Sequence, residues 1–444
     1  NILLIVVDAL RADRLGCYGY SRRPTSPAID ALAKESIVFD SFRAAAPWTA
    51  PAFGTILTGV LPDVHQAGPL HPAGEEDGVR IGPHTLFPIH KNVSTIAQLL
   101  PDHQTAAIVN NAYLHRRMGY ARGFDLWNYQ VAKVIRHRLA DRVSSLSGMW
   151  LKRNGNRPFF LMVHYMDPHL AYNPPRKYHE AFLDRKPGRY RVPYLRSVRS
   201  QKPLGDRELP FMKSAYDGEI RFTDDEIGRL LRQMQGMKLL DNTWVVVTAD
   251  HGEEHFDHGG FEHGHALTEE VVRVPLIIRA PGGRWGAGHR VSWSAGQADL
   301  VPTFLQWMGK ETPDDLQGRS LVPLITGKEA AHRSTYSAHL IYGEQQESFF
   351  DGRYKLIRHK KDKKRARVFD LVNDPLEKLP LDSRSPAAVR LTAQLERFLK
   401  QQDALIRTVH GRNPPSDPSD TDPDGPVALP EDVQDSLRSL GYIE

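Results

Sequence analysis

The chain has 444 residues, more than one hydrophobic core usually supports, so we expect one large α/β domain and a smaller second one. It is 40% hydrophobic and 25% charged, as ordinary globular proteins are, and its net charge of +5 is too small and dispersed to indicate a nucleic-acid partner. Cys17 is the only cysteine, which excludes an internal disulfide, and no apolar run reaches the roughly 18 residues of a membrane span.

The chain begins with a continuous apolar run at residues 2–7 (ILLIVV), which is typical of a buried parallel strand. Asp8 follows at the carboxyl end of this strand, where ligands of open α/β sheets bind. Because the chain starts directly in a strand, we expect upstream residues, with a removed signal peptide as one alternative. A soluble protein of the periplasm, the secreted fraction or the cytoplasm fits this pattern, and the sequence leaves the compartment open.

Two helices are predicted next. Ser26 is the expected N-cap of the first, which starts at Pro27 and carries apolar residues at helical spacing. The second is predicted over residues 52–58, with Gly59 ending it. Thr49 would then lie just before a helix N-terminus, where backbone N–H groups favour an anion. A structural N-cap threonine is the alternative.

Residues 105–111 (TAAIVNN) predict another strand, which ends in Asn110 and Asn111. Both amides can donate a hydrogen bond to an anion, and a role in a turn is the alternative. A further strand is predicted at residues 159–163. The polar residues behind it are His164, Asp167 and His169. The alternative interpretation here is a buried His164 and a turn made by Asp167 and Pro168.

Residues 170–210 are rich in Pro, Arg and Tyr and predict a long irregular insertion over the site. Residues 215–234 have apolar side chains at helical intervals, which predicts an amphipathic helix. Its acids Asp217 and Asp224 are interpreted as solvated or helix-packing groups.

The stretch VVVTADHGEEHFDHGGFEHGHA, at residues 245–266, carries the densest set of candidate ligands. Its β-branched start predicts a buried strand, and Asp250 and His251 follow at the carboxyl end of that strand. A carboxylate, an imidazole and a histidine-rich loop are suited to a divalent metal, with a polar surface loop as the alternative. The further histidines of this loop are His255, His258, His263 and His265.

The pattern changes after residue 330. Residues 335–371 alternate like short strands, and the basic run HKKDKKRAR is interpreted as a solvated hairpin turn. Residues 386–402 predict an amphipathic helix, and residues 429–440 a last one. The predicted division is a catalytic α/β domain at 1–330, a small antiparallel sheet with a helix at 331–411, and an extended tail ending in a short helix at 412–444.

Several of these segments resemble sulfatase-type members of the alkaline phosphatase superfamily. IVVDALRADRLGCYGY resembles the first strand with its metal-binding Asp, PWTAPAFGTILTG the nucleophile segment, and VVVTADHGEE the second metal segment. VVRVPLIIRAPG, FDLVNDPLEK and LRSLGYIE resemble later signatures, so the likeness covers nearly the whole chain. The resemblance implies an α/β fold with a mostly parallel central sheet sandwiched by helices and a smaller C-terminal α+β subdomain.

The resemblance also implies roles for individual residues. Asp8, Asp250 and His251 would hold one divalent ion, which we leave open among Mn²⁺, Ca²⁺, Mg²⁺ and Zn²⁺. Thr49 would be the nucleophile, with its oxygen on the same ion.

His169 resembles the histidine that contacts the substrate anion in this family. His263 has the position from which relatives place a lysine or histidine against the leaving-group oxygen, and a histidine there can act as a general acid. Asn110 and Asn111 stand near the place of a substrate-contacting lysine, and we predict that they and His258 bind substrate.

Three positions depart from the sulfatase pattern. Thr49 stands where sulfatases have a Cys or Ser that is matured to formylglycine, Phe53 replaces an arginine, and Ala9 replaces a second metal-binding aspartate. A direct threonine nucleophile resembles instead the phosphodiesterase, phosphonate-hydrolase and headgroup-transferase branches. We therefore predict a hydrolase of phosphodiesters or phosphonate monoesters, with a sulfuric ester hydrolase as the alternative.

Two other function classes are kept. One is a degenerate module that binds an anionic glycan or lipid headgroup without turnover, and the other is a headgroup transferase. The expected partner is a small anionic ester, free or within a lipid headgroup or glycan, with no nucleic acid and no membrane span. The sequence makes no prediction of oligomeric state.

Overall fold

The structure is a computed structural model that describes residues 1–68, 74–76, 79–81, 85–130, 139–182, 208–283, 288–411, 427–428, 431 and 434. Its centre is an eight-stranded sheet. In chain order its strands are β1 (Ile2–Val7), β2 (Ile37–Phe39), β3 (Gln104–Val109), β4 (Leu126–Tyr129), β5 (Phe159–Tyr165), β6 (Trp244–Ala249), β7 (Leu276–Arg279) and β8 (Arg290–Val291).

The strand order across the central sheet is β8-β2-β7-β6-β1-β5-β3-β4. Within these eight strands β7 alone runs antiparallel to the rest. Every residue of β1, β5 and β6 is buried, as continuous apolar runs predict for strands covered on both faces. The carboxyl ends of β1, β3, β5 and β6 therefore meet at one edge of the sheet, and the predicted mostly parallel α/β fold is confirmed.

Helices flank this sheet. Their bounds are α1 (Pro27–Lys34), α2 (Thr49–Thr58), α3 (Pro62–His65), α4 (Ala140–Asn154), α5 (Arg176–Phe182), α6 (Glu208–Gly236), α7 (Glu269–Val272), α8 (Leu300–Trp307), α9 (Val322–Ile325) and α10 (Pro386–His410). α4 packs on β3 and β5, and the long α6 packs on α4 and α1. Where the structure describes the chain, no helix combines the length and apolar character needed to cross a membrane.

The start of α1 differs from the prediction in how it is capped. Ser26 occupies the N-cap position, but its hydroxyl donates to Asp30 and does not cap the helix. Asp224 of α6 takes over the capping, because its two oxygens accept the N–H groups of Ala28 and Ile29 at 2.8 and 2.7 Å. Asp217 pairs with Arg14 at 3.3 Å. Both acids are buried, so of the two predicted alternatives helix packing is right and solvation is wrong.

α2 begins at Thr49, three residues before the predicted start at Ala52. Pro51 suggested a later start, but a proline in the first turn removes only an N–H that has no partner within the helix. Thr49 is therefore the first helical residue, and Gly59 ends the helix with a positive φ of 72° as predicted.

The C-terminal subdomain contains a four-stranded antiparallel sheet and α10. Its strands, in order across the sheet, are β9 (Thr335–Ala338), β10 (Gln346–Phe350), β11 (Tyr354–His359) and β12 (Ala366–Asp370). The basic run joins β11 to β12 as predicted, and α10 is longer than predicted. We keep the proposed boundary near residue 330, since the second sheet starts at Thr335. Most of the predicted insertion, at 183–207, and nearly all of the predicted tail and last helix lie outside the described residues.

Candidate active site

Four predicted site residues meet at the carboxyl edge of the central sheet. β1 and β6 are parallel neighbours with Val7 opposite Ala249, so the next residues, Asp8 and Asp250, emerge side by side. The N–H of Ala9 donates to Oδ1 of Asp250 at 3.2 Å, across 241 residues of sequence. Thr49 joins them from the N-terminus of α2.

Nε2 of His251 lies at the centre of this group. It is 3.5 Å from Oδ1 of Asp8, 3.4 Å from Oδ2 of Asp250 and 3.5 Å from Oγ1 of Thr49. Atoms that each lie about 2.0–2.4 Å from one cation are about 3–3.5 Å apart, so the spacing fits a shared ion. Nδ1 of His251 donates to the carbonyl of Gly252 at 2.8 Å, which leaves Nε2 as the ligating nitrogen of a neutral ring.

The electrostatics of the two acids also fit a cation. Oδ1 of Asp8 and Oδ2 of Asp250 are buried and have no hydrogen-bond partner among the residues that the structure describes. Burial and the charge of Asp8 raise the pKa of Asp250 well above its usual range. The pKa of Asp8 is lowered although burial opposes this, because His169, His164 and His251 favour its charged form. Two adjacent buried carboxylates ionise together only when positive charge compensates them.

Asn111 contacts the candidate nucleophile directly. Its Nδ2 donates to Oγ1 of Thr49 and to Oδ2 of Asp8, both at 3.0 Å, and its Oδ1 accepts the N–H of Tyr113. Asn110 behaves differently, since its Nδ2 donates to the backbone carbonyl of His164 on β5 at 3.2 Å. Of the two predicted asparagines, Asn111 is the one whose side chain is seen to bond to Asp8 and Thr49.

His169 and His263 line the same edge. The ring of His263 lies 4.2 Å from that of His251 and 4.9 Å from that of His169, measured between ring centroids. All three are buried. Burial lowers the pKa of His169, and the neighbouring Asp8 charge opposes that shift.

Two buried residues near the site were not predicted to have a role there. Nε2 of His164 is 3.2 Å from Oδ2 of Asp8, and its ring meets Phe53 edge-on at 5.0 Å. Glu253 lies 2.9 Å from Nδ1 of His263. Burial and the nearby Glu262 raise the pKa of Glu253 well above its usual range. The sequence signal for His164 was its position in a strand beside β1. The sequence signal for Glu253 was its position directly after Asp250-His251-Gly252.

The structure does not bring His258 to this group. Its Nδ1 is 2.8 Å from Oε1 of Glu270, and its Nε2 is 2.9 Å from the carbonyl of Leu376 in the C-terminal subdomain. The hydrogen bond to Glu270 raises the pKa of His258 although burial opposes it. Glu254, His258 and Glu270 also have ligand atoms within 4.8 Å of one another. Since both ring nitrogens of His258 already have acceptors, we assign this second group to holding the loop in place.

Comparison with known proteins identifies the fold and the family. The architecture is that of the alkaline-phosphatase-like fold. A family model described as Sulfatase matches residues 1–310, and one described as N-sulphoglucosamine sulphohydrolase, C-terminal, matches residues 256–404. The chain therefore belongs to the sulfatase family and is a hydrolase of that family, whose enzymes use a divalent metal ion.

Individual relatives have different substrates. An arylsulfatase of Clostridium perfringens is 26% identical, over 85% of this chain and 89% of its own. An enzyme solved in complex with its substrate D-glucosamine-2-N,6-O-disulfate has a TM-score of 0.72 at 21% identity, covering 96% of this chain and 99% of its own. The phosphonate monoester hydrolase of Agrobacterium radiobacter has a TM-score of 0.70 at 19% identity, with the same coverage. The two solved structures establish the fold alone.

Proposed function

We propose that the protein hydrolyses a singly charged phosphodiester or phosphonate monoester, with Thr49 as nucleophile and one divalent ion held by Asp8, Asp250 and His251. The observation that carries this proposal is the spacing of 3.4–3.5 Å from Nε2 of His251 to an oxygen of each of the other three residues. A bound divalent ion would lower the pKa of the threonine hydroxyl and polarise the ester.

The side chains of this site supply the remaining steps. The hydroxyl proton of Thr49 leaves to solvent, and the hydrogen bond from Asn111 stabilises the resulting charge. Oγ1 then bonds to phosphorus while the bond to the leaving oxygen breaks, and His263 gives that oxygen a proton from Nε2. In the second half, His263 takes a proton from the attacking water, and Thr49 leaves as its alkoxide. We assign binding of the anionic oxygens to His169, whose ring contacts that of His263, and to the N–H groups of the first turn of α2.

The ranking of substrates rests on Thr49 and Phe53. A threonine ester has no aldehyde hydrate through which to expel sulfate, so water must attack the same centre, which phosphoenzymes achieve readily. Phe53 is fully buried against His164 where an arginine would add positive charge, and this favours a singly charged ester over a doubly charged phosphate monoester. A sulfate ester also carries one negative charge, and the sulfatase relatives make it the second candidate.

The test is a panel of p-nitrophenyl esters, namely phosphate, phosphodiester, phosphonate and sulfate, with added Mn²⁺. We expect the wild type to turn over the phosphodiester or phosphonate fastest, and Thr49→Ala to lower kcat by about 10³-fold or more because it lacks the nucleophile. Thr58→Ala is the matched control, since Thr58 ends the same helix and its hydroxyl bonds only to backbone atoms.

Each result of the panel has a defined meaning. Sulfate turnover dominating the panel would reverse the ranking of substrates. Activity that survives in Thr49→Ala would remove Thr49 as nucleophile. Binding of an anionic ester without turnover of any ester would favour the degenerate binding module, and transfer to an added alcohol in preference to water would favour a transferase.

A further inference from the structure

We infer that Glu253 is a positioning residue that holds the ring of His263 so that Nε2 delivers a proton to the leaving oxygen. This inference rests on the proposed function and extends it to a residue outside the candidate ligand set. Oε1 of Glu253 lies 2.9 Å from Nδ1 of His263, and the side chains are 0% and 2% exposed. A buried carboxylate on one ring nitrogen fixes both the orientation of an imidazole and the nitrogen that faces the reaction.

The surroundings hold Glu253 itself in place. Its Oε2 accepts a hydrogen bond from the hydroxyl of Tyr172 at 2.9 Å. Its backbone N–H donates to the carbonyl of Glu270 at 3.0 Å, and its own carbonyl accepts from Arg11 at 3.1 Å. Both carboxylate oxygens and both backbone groups are therefore fixed, which is what precise placement of a catalytic side chain requires.

The position of His263 makes this restraint relevant to the reaction. Its ring lies tilted against that of His251, whose Nε2 is at the centre of the candidate metal ligands, and it also contacts His169. Because Glu253 occupies Nδ1, the proton for the leaving oxygen must come from Nε2. That proton passes to the leaving oxygen as its bond to phosphorus breaks, and the imidazole recovers it from the water that later attacks.

The adjacent Glu254 provides a matched comparison. It is also buried, and its Oε2 lies 2.8 Å from Nε2 of His265, so the same pair of residue types occurs one residue further along. The His265 side chain is 26% exposed, however, and its pair stabilises the hairpin of Glu254–His255 and Phe261–Glu262. If Glu253 had only a structural role, substitution of Glu253 and of Glu254 should affect turnover alike. If it positions His263, only the substitution of Glu253 should change how turnover depends on the leaving group.

The experiment measures how turnover depends on the leaving group. Aryl and alkyl esters of the class that the wild type hydrolyses best are compared. Their leaving groups range from p-nitrophenolate, which leaves readily without a proton, to phenolate and an alkoxide, which need one. We expect Glu253→Gln to lower kcat about 10- to 100-fold for the poor leaving groups and less than about 3-fold for p-nitrophenolate. His263→Ala should show the same selective loss, and the double variant should be no slower than His263→Ala alone.

The controls separate positioning from folding. Glu254→Gln should keep the wild-type dependence on the leaving group. Tyr172→Phe removes the hydroxyl that holds Glu253 and that also lies 3.2 Å from Nε2 of His255. A smaller loss of the same selective kind is expected, and this variant tests the inference if Glu253→Gln fails to fold. A loss that is equal for all leaving groups, or an additive double variant, would overturn the inference while leaving Thr49 and the proposed function intact.

A second measurement does not depend on turnover. In protein labelled with ¹⁵N-histidine, an imidazole N–H bound to a carboxylate gives a downfield proton resonance, and that of His263 is assigned by its loss in His263→Ala. We expect this resonance to disappear in Glu253→Gln and to persist in Glu254→Gln. Its persistence in Glu253→Gln would overturn the inference. If the contact is found but the wild type hydrolyses no ester, the proposed function fails, and with it the role of this pair in proton delivery.

Discussion

Histidines are the side chains that favour the charged form of Asp8. His164, His169 and His251 together outweigh the effect of burial and lower the pKa of this acid. An imidazole is only partly charged near neutral pH, so these rings compensate Asp8 and Asp250 incompletely. This residue chemistry supports the proposed divalent ion, which would supply the missing positive charge where the three candidate ligands converge.

We predict a bound ion that depends on Asp250. Purified wild-type protein should contain about one divalent ion per chain after dialysis against Mn²⁺, and Asp250→Ala should lose it, because the substitution removes a carboxylate ligand and leaves Asp8 and His251 alone. Elemental analysis measures the ion directly, and thermal unfolding with and without chelator shows its contribution to stability.

The second group of metal-binding residue types provides the control. Glu254→Ala changes the group formed with His258 and Glu270, so it should keep the ion if our assignment is right. An ion that is lost in Glu254→Ala and retained in Asp250→Ala would place the metal site at Glu254, His258 and Glu270 instead. Equal occupancy in all three proteins would contradict both locations.

Candidate residues at strand ends were the most predictable part of this site. Asp8 and Asp250 follow long apolar runs, and parallel strands bring such ends together whatever their separation in sequence. Asn110 and Asn111 could not be separated, because which neighbour faces the site depends on where the strand ends, and β3 stops at Val109. Glu253 follows Asp250-His251-Gly252 directly, which marked it as a residue of the site region, but no period or spacing encodes its contact with His263.

At the scale of elements, α2 is held by a contact that helix propensity does not reveal. The ring of His65 in α3 lies on Gly54, and a Cβ built there would be 2.3 Å from Cε1 of that ring. The ring cannot easily move, since it contacts Thr55 Oγ1 at 3.2 Å and the carbonyl of Pro51 at 3.1 Å, and its Nδ1 accepts the N–H of Ala67 at 3.0 Å. The glycine in the middle of this helix is therefore a packing requirement.

The change in stability of Gly54→Ala tests whether the ring of His65 requires a glycine here, because helix propensity and packing predict opposite signs. Propensity alone would make alanine more stable in a helix by about 1 kcal/mol. We expect a destabilisation instead, because overpacking a buried site costs about 1–3 kcal/mol. A lower kcat should accompany it, since the same helix carries Thr49 five residues earlier. Urea unfolding followed by circular dichroism measures the stability.

Gly236→Ala is the control for that experiment. Gly236 is the last residue of α6, and a Cβ there would meet nothing within 4 Å, so this variant should be at least as stable as the wild type. If Gly54→Ala were also as stable as the wild type, His65 would not constrain α2.

A buried cluster of charges joins the large domain to the C-terminal subdomain. The side chain of Lys355 on β11 is 0% exposed, and its Nζ lies 2.9 Å from an oxygen of Glu269 and 2.9 Å from an oxygen of Glu377. Arg43 of the large domain binds Glu269 at 2.7 Å. The backbone N–H of Glu269 donates to Glu377 at 2.6 Å, so backbone and charges link the same residues. The alternating strands of this region predicted a second sheet, but the partners of Lys355 come from distant segments and were not predictable.

Lys355→Met should therefore destabilise the whole protein, by about 3 kcal/mol, because it leaves buried carboxylates without their ammonium partner. The pH dependence gives a second readout. Burial opposes ionisation of Glu269, but Arg43 and Lys355 outweigh it and lower the pKa of this acid from 4.5 to about 2. A depressed pKa means that the stabilisation is complete above about pH 4.5 and is lost as pH falls towards 2, so wild-type stability should decline in that interval.

In Lys355→Met the decline between pH 4.5 and 2 should be shallower, since one of the two cations that lower the pKa of Glu269 is gone. Lys363→Met is the matched control: its ammonium pairs with Glu396 on the surface, with 57% of the side chain exposed, and water screens such a pair. That variant should keep both the stability and the pH dependence of the wild type in urea titrations. Because the large domain supplies Arg43 and Glu269 and the C-terminal subdomain supplies Lys355 and Glu377, the loss in Lys355→Met should fall on a single unfolding transition. A Lys355→Met protein with unchanged stability, or one in which the C-terminal sheet unfolds separately while the central sheet keeps its wild-type midpoint, would show that the cluster does not couple the two parts of the molecule.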